Sequence, residues 1–409
     1  MNNRQLFLSH LGQTSAAPLC LEIIKAEGCR LIDKNGREYI DLIGGISVCN
    51  VGHRHPKVVE AIKNQVDDYL HIMVYGEFVQ SPQVHYAKLL ADHLPASLNS
   101  VFFTASGSEA TEGAMKLAKR VSNRTQIISF KNSYHGSTQG ALSVIGSEYW
   151  QQAFRPLLPD TMQLNYNSFK DLENITQRTA CVIAETIQAE AGVLLPQNNW
   201  LKALREKCDA TGTLFILDEI QCGFGRNGTL WAFEQFAVVP DILLLGKAMG
   251  GGMPMGAFIA DKKMMDSFTH DPVLGHINTF GGHPVCCAAG MAAFNVLMEE
   301  NLIEQVKKKE QLFVSLLTNA SDGMQPAKRI KVRSCGLMIA VEFDSFETNK
   351  KVIDALILGT DEGRPDEPGV FTDWFLFAPG CMRIAPPLTI SEADIRTSCA
   401  KIIEVMKGI

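Results

Sequence analysis

Between about residues 50 and 300 the chain alternates short apolar runs with stretches that mix polar and apolar residues, and this alternation constrains the fold more than any other feature. The runs are Ser100–Thr104, Gln126–Phe130, Ala180–Ala184, Leu214–Leu217, Ile242–Leu245 and Gly256–Ala260. They are short and flanked by glycine or polar residues, which is how strands buried on both faces read. Repeated βα alternation implies a largely parallel sheet with helices on both sides. A long amphipathic helix is predicted over Pro284–Glu299. Upstream, Leu21–Lys25 and Arg30–Leu42 read as strand pieces, with Asn35-Gly36 as a strong hairpin signal. Downstream, Leu337–Phe343, Trp374–Phe377 and a final helix over Glu392–Lys407 point to a second α+β unit. Gly359–Gly369, rich in Asp, Glu, Pro and Gly, is the best candidate for an exposed loop.

The 409 residues, 46% hydrophobic and 20% charged, suffice for one large domain and a smaller one. A net charge of -6 and a pI near 6.0 leave no electrostatic footprint for nucleic acid or an anionic membrane. The 11 cysteines include no CxxC pair, and the adjacent Cys286 and Cys287 cannot easily bridge, so reduced thiols in the cytoplasm are expected. Residues 1–10 lack the apolar stretch of a signal peptide. No uncharged apolar run approaches the roughly 18 residues of a membrane span. The expected partners are small molecules and a second copy of the chain.

Two of the strand-like runs end on ionisable residues. Lys247 follows Asp241–Gly246, and Asp218 follows Thr213–Leu217. Ligands in α/β sheets sit at the carboxyl ends of parallel strands, so an amine and a carboxylate meet at one sheet edge. On spacing alone they serve equally as a structural ion pair. A lysine in a dry pocket also forms a Schiff base with an aldehyde cofactor, and an aspartate facing a pyridine nitrogen keeps that nitrogen protonated. That chemistry points to pyridoxal phosphate.

Other motifs bear on this choice. Val101–Ala110 reads as a strand, a tight turn around Ser106-Gly107-Ser108 and the start of a helix, a natural phosphate site, although Ser108 could serve only as an N-cap. Tyr134-His135-Gly136 follows the run ending at Phe130, where an aromatic face could lie on a planar ring or simply pack. Gly223–Gly228 satisfies GxGxxG, but Asp218–Cys222 separates it from the strand and no crossover helix follows, so a structural loop is expected. Gly246-Lys247-Ala248 lacks the features of a P-loop. His53 and His55 have no accompanying ligand set, and no metal site is expected.

Taken together, Ser106–Ala110, Tyr134–Gly136, Glu185–Glu190, Leu217–Gln221, Gly246-Lys247 with Gly250–Gly256, Thr279–Pro284 and Arg383–Leu388 resemble the class III pyridoxal-phosphate aminotransferases. Order and spacing match over nearly the whole chain, and Gly45–Val48 and Val51–Pro56 resemble the family's N-terminal approach to the site. The resemblance implies an α/β protein of fold type I and a homodimer with active sites at the subunit interface. It implies a large, mostly parallel-sheet cofactor domain over 50–300. The smaller α+β domain would be built from residues 1–49 and 301–409.

The same resemblance assigns roles. Lys247 would hold the cofactor and shuttle the proton, Asp218 would face the pyridinium nitrogen, and Gln221 would sit near the ring hydroxyl. Tyr134 would stack on the ring, with His135 also in the cofactor site. Ser106, Gly107 and Ser108 would form the phosphate cradle, completed by Thr279 of the other subunit. Arg383 would grip the α-carboxylate of 2-oxoglutarate or glutamate, since a guanidinium fork matches a carboxylate. Glu190 would neutralise that arginine when an α-carboxylate is absent.

One departure stands out. Ser137 occupies the place where the ornithine, acetylornithine and 4-aminobutyrate branches usually carry an arginine, and it resembles the ω-amine, diamine and diaminopelargonate-type branches instead. Thr186 and Ala189 replace a common proline and glycine in the loop around Glu190. Tyr75 and Ser47 fall where the family lines its substrate pocket, or else pack on the partner. The expected activity is ping-pong transfer from an ω-amino acid or amine donor, ornithine- or acetylornithine-like or a diamine, to 2-oxoglutarate or another keto acid. An aminomutase on the same fold is the alternative, and Arg383 with Glu190 favours transfer because a mutase needs no dicarboxylic acceptor. Intact Lys247 and Asp218 speak against a non-catalytic binding protein.

Overall fold

The computed structural model describes residues 1–322, 329–359 and 368–409. Near the N-terminus lie β1 (Ile23–Glu27), β2 (Arg30–Asp33) and β3 (Glu38–Asp41), an antiparallel set turning at Asn35-Gly36. The large sheet comprises β4 (Ser100–Thr104), β5 (Gln126–Phe130), β6 (Thr161–Leu164), β7 (Thr179–Glu185), β8 (Leu214–Asp218), β9 (Ile242–Gly246) and β10 (Gly256–Ala260). The C-terminal part contributes β11 (Lys331–Cys335), β12 (Met338–Glu342), β13 (Gly369–Phe371), β14 (Trp374–Phe375) and β15 (Ala378–Ile384).

All six apolar runs become strands of one sheet, in the order β4-β10-β9-β8-β7-β5-β6. Only β10 runs antiparallel to its neighbours. Register brings the carboxyl ends together: Glu185 lies beside Asp218, and Asp218 beside Leu244, three residues before Lys247. The fold places these groups along one edge with no contribution from their own chemistry.

Both faces of the sheet are covered. The helix Gly107–Ser122 buries Ala110, Ala114, Leu117 and Ala118, spaced as one helical stripe, against Ile183, Ile216, Leu244 and Phe258. Closeness here demands a small residue: a Cβ on Gly113 would come within 2.2 Å of the Phe258 ring. The opposite face carries the helix Pro284–Glu299, which has the predicted bounds but is buried on nearly every side rather than amphipathic, packed on the helices Pro56–Asp68 and Ser81–Asp92. Each fully buried aliphatic side chain in these layers is worth about 1.5–3 kcal/mol over an exposed one.

The second α+β unit is an antiparallel sheet, β11-β12-β15-β14, flanked by the helices Leu302–Asp322, Phe346–Leu358 and Glu392–Gly408. β13 joins the N-terminal set by pairing in parallel with β3. Three local expectations change. The first N-terminal strand starts at Ile23 rather than Leu21, β14 ends at Phe375 rather than Phe377, and a separate strand, β15, follows it. Residues 360–367, most of the proposed loop Gly359–Gly369, lie outside the described residues.

The Gly223–Gly228 segment is a structural clasp. Buried Arg226 donates to the carbonyls of Leu337 (3.1 Å) and Pro386 (2.5 Å) and to the Asn50 side chain, tying three distant segments together. Among the described residues, no helix is long and apolar enough to cross a membrane. All eleven cysteines are free.

Candidate active site

A cavity of about 190 Å³ opens at the carboxyl edge of the large sheet, and its walls are the residues that follow the strands. Ser106, Gly107 and Ser108 come after β4, Tyr134, His135 and Gly136 after β5, and Glu185 and Ile187 from β7 onward. Asp218, Ile220, Gln221 and Cys222 come from the end of β8, and Lys247 follows β9.

Lys247 sits in the left-handed region at φ 48°, a rare conformation for a residue with a Cβ, at the sharp turn out of β9. Its Nζ donates to Gln221 Oε1 at 3.0 Å, so the structural ion pair with Asp218 is not what forms. Burial holds the Lys247 amine below the usual lysine value. Glu190 pulls it upward, and the charge on Arg383 pushes it down again. Asp218 is buried, accepts the Ile220 N–H through Oδ1 at 2.9 Å, and pairs through Oδ2 with His135 Nδ1 at 2.7 Å. The other His135 nitrogen, Nε2, is buried without a partner.

At the helix Gly107–Ser122 the N-cap is Ser106, not Ser108, because the Ser106 hydroxyl accepts the Glu109 N–H at 3.2 Å. Gly107 and Ser108 therefore hold the first two helical positions, whose N–H groups have no intrahelical acceptor. A Cβ on Gly107 would meet Ile220 at 2.9 Å, and one on Gly136 would meet Ser108 Oγ at 2.3 Å. Bare backbone is thus packed around free amides and a hydroxyl, which suits a phosphate. The donor set as a whole fits pyridoxal phosphate: an anion cradle at one end, a buried carboxylate at the other, and between them an aromatic side chain and an amine free of carboxylate partners.

Sequence reasoning gave Glu185 no role of its own. Its Oε1 accepts the Tyr134 N–H at 2.9 Å and its Oε2 the Ala189 N–H at 3.0 Å, so one carboxyl joins the Tyr134 loop to the loop that carries Glu190. Burial, with the nearby charge of Asp218, pushes it up to about 8. Its signal was the one that revealed Asp218, an acid closing a buried strand. Glu219 was also passed over; it is fully buried, accepts from Thr186 Oγ1 and the N–H groups of Ala232 and Phe233, and is raised by burial to about 7.

Arg383 and Glu190 meet in two parallel hydrogen bonds of 2.7 and 2.9 Å, both side chains almost wholly buried. Burial alone would raise the Glu190 carboxyl, but the Arg383 charge and hydrogen bonds, with the Leu376 N–H, hold it below its ordinary value. Burial likewise opposes charge on Arg383, and the carboxylates of Glu190 and Asp373 more than offset it. Neither residue lines the cavity itself, yet both act electrostatically on Lys247.

Four other candidates lie apart. Ser137 is exposed, one residue beyond the cavity wall at Gly136. Tyr75 lines a different hollow, of about 540 Å³, with Phe103, Asn278 and Gly281. Thr279 is exposed and lines neither. Ser47 is buried with its hydroxyl unpartnered. His53 pairs with Asp41 and His55 with Glu300.

Comparison with known proteins gives concordant results. The family model described as aminotransferase class-III matches residues 12–406. Acetylornithine aminotransferase of Methanopyrus kandleri is 38% identical over 402 residues, covering 98% of this chain and 97% of the relative. The [LysW]-aminoadipate semialdehyde/glutamate semialdehyde transaminase of Sulfurisphaera tokodaii is 37% identical, covering 79% and 81% respectively. Among solved structures, ornithine aminotransferase of Toxoplasma gondii ME49 superposes with a TM-score of 0.89 at 29% identity, covering 100% of this chain and 96% of its own.

Proposed function

The chain belongs to the class III aminotransferases, and from that premise we propose which residues and which donor its pyridoxal-phosphate chemistry uses. When bound, the cofactor supplies an aldehyde that captures amines and a protonated ring that accepts electrons from the substrate carbon. Lys247 Nζ would move the proton between substrate and cofactor, and its burial favours the neutral amine that this task needs. Asp218, itself oriented by His135, would keep the ring nitrogen protonated. Tyr134 would cover a ring face, Gln221 would lie near the ring hydroxyl, and Ser106, Gly107 and Ser108 would hold the phosphate.

The donor is an ω-amine or ω-amino acid, and the acceptor is 2-oxoglutarate or another keto acid. The observation that carries this reading is the closed Arg383–Glu190 pair. With its fork covered by a carboxylate, the arginine makes no demand for an α-carboxylate, so a donor without one fits. A keto acid binds when its own carboxylate replaces Glu190. Ser137 supplies no charge for a distal carboxylate, which sets this chain apart from a dedicated acetylornithine enzyme despite the names of its relatives.

The working form is a homodimer, with 50–300 as the cofactor domain and 1–49 with 301–409 as the smaller one. Support comes from apolar side chains left in water near Tyr75 and Thr279: Phe78 is 54% exposed, Val79 93%, Val273 74% and Phe280 57%. Pairing would bury them and let Thr279 complete the partner's phosphate cradle. Eleven free cysteines support a cytoplasmic enzyme.

The test is a donor screen by single turnover, following conversion of the cofactor to its amine form. Linear diamines and ω-amines should react at rates comparable with N-acetylornithine, and 2-oxoglutarate should then restore the aldehyde form. A preference for N-acetylornithine of more than about a hundredfold, close to 3 kcal/mol, would overturn the donor assignment.

A further inference from the structure

Arg383 is gripped from two sides. Its end-on edge, Nη1 and Nη2, meets Glu190, whereas Nε donates to Asp373 Oδ1 at 2.8 Å and Nη2 also donates to the Trp374 carbonyl at 3.0 Å. The Phe375 ring lies 4.5 Å beneath the guanidinium carbon. Asp373 is bound to Arg383 through the main chain as well, its carbonyl accepting the Arg383 N–H at 2.9 Å, and the Thr372 hydroxyl donates to the Arg383 carbonyl. The Asp373 side chain is 31% exposed, against 3% for Arg383 and 9% for Glu190.

We propose that Asp373 is a positioning residue that fixes Arg383 by its side-on edge, so that the site changes between donor and acceptor by departure of Glu190 alone. The inference rests on the reading above, that Arg383 binds the acceptor's carboxylate. When Glu190 leaves, the contacts at Nε and the Trp374 carbonyl remain, and the guanidinium stays on Phe375 with its end-on edge still aimed. The carboxylate then finds two donors already in place, and little side-chain freedom is lost on binding. Asp373 also shares the positive charge with Glu190. The loop Thr372–Phe375 is therefore part of the acceptor site although Asp373 touches no substrate.

The experiment compares wild-type holoenzyme with Asp373→Ala, Asp373→Asn and Arg383→Ala, measuring the second half-reaction with 2-oxoglutarate and with an aliphatic aldehyde that has no carboxylate. Asp373→Ala should raise KM for 2-oxoglutarate about tenfold, the size of one lost charged hydrogen bond, and leave the aldehyde reaction within about twofold. Asp373→Asn keeps an acceptor oxygen for Nε and should recover most of that loss. Equal losses with both acceptors, or a KM for 2-oxoglutarate unchanged in Asp373→Ala, would overturn the proposal. If Arg383→Ala also spares 2-oxoglutarate, the failure belongs to the assignment of Arg383; if it does not, the failure is that of Asp373 alone.

Discussion

Gly136→Ala tests the phosphate cradle at its tightest point. Gly136 has φ +122°, where L residues are strained, and a Cβ there would lie 2.3 Å from Ser108 Oγ, 2.8 Å from its Cβ and 2.9 Å from its Cα. Rotating the hydroxyl away relieves only the first contact, because the other two belong to the helix start. Backbone strain costs about 1–3 kcal/mol and overpacking a similar amount, so the variant should lose about 2–6 kcal/mol of stability or relax by pushing Ser108 outward. Either path spoils the cradle. Loss of one hydrogen bond to a charged phosphate, about 1.5–3 kcal/mol, weakens cofactor binding roughly 10- to 150-fold. The assay is titration of apoenzyme with pyridoxal phosphate, followed by absorbance, beside thermal melts of both forms. Gly36→Ala is the control: at φ +84° with nothing within 4 Å of the new Cβ, it should lower Tm without altering cofactor affinity. Cofactor affinity within threefold of wild type in Gly136→Ala, or an equal loss in Gly36→Ala, would show that the cradle does not hold the phosphate.

Three further outcomes are expected. Glu190→Ala uncovers Arg383, so KM for 2-oxoglutarate should fall several-fold while amines without a carboxylate react more slowly; steady-state kinetics with both donor classes will show whether the two move in opposite directions. Burial raises Glu219 from 4.5 to about 7, so the native state favours its protonated form; that contribution is complete below about pH 4.5 and is lost as pH rises through about 7. Its size is up to about 3 kcal/mol, and unfolding of Glu219→Gln between pH 5 and 8 should therefore depend less steeply on pH than that of wild type. Val79→Asp with Phe280→Asp should shift the particle mass in light scattering from dimer towards monomer and reduce cofactor retention, and an unaltered dimer would remove those residues from the interface.

The large sheet was legible because its strands are buried on both faces and read as unbroken apolar runs. β6, Thr-Met-Gln-Leu, lies at the sheet edge, is only partly buried and carries no such run. β11 is hidden in the same way at the edge of the C-terminal sheet, and Pro379-Gly380 interrupts the apolar pattern at the start of β15. Lys247 and Asp218 could be found from the same strand-end logic, since a residue closing a buried parallel strand has little choice but to face the site. Asp373 gave no such signal. Its significance arises from Arg383, ten residues on, and from Glu190, which is 193 residues from that arginine, and only the folded chain brings the three together. Tyr75 and Thr279 carry family-like spacing yet lie on another surface of the chain, because spacing in one sequence does not encode what a second subunit would add.

The attachment of the cofactor to Lys247 is measured by reducing the holoenzyme with borohydride, digesting it and locating the pyridoxyl group by mass spectrometry. A stoichiometric label is expected on the peptide containing Lys247, and none in Lys247→Ala. A label on any other lysine, or a reduced wild-type enzyme with none, would contradict that attachment.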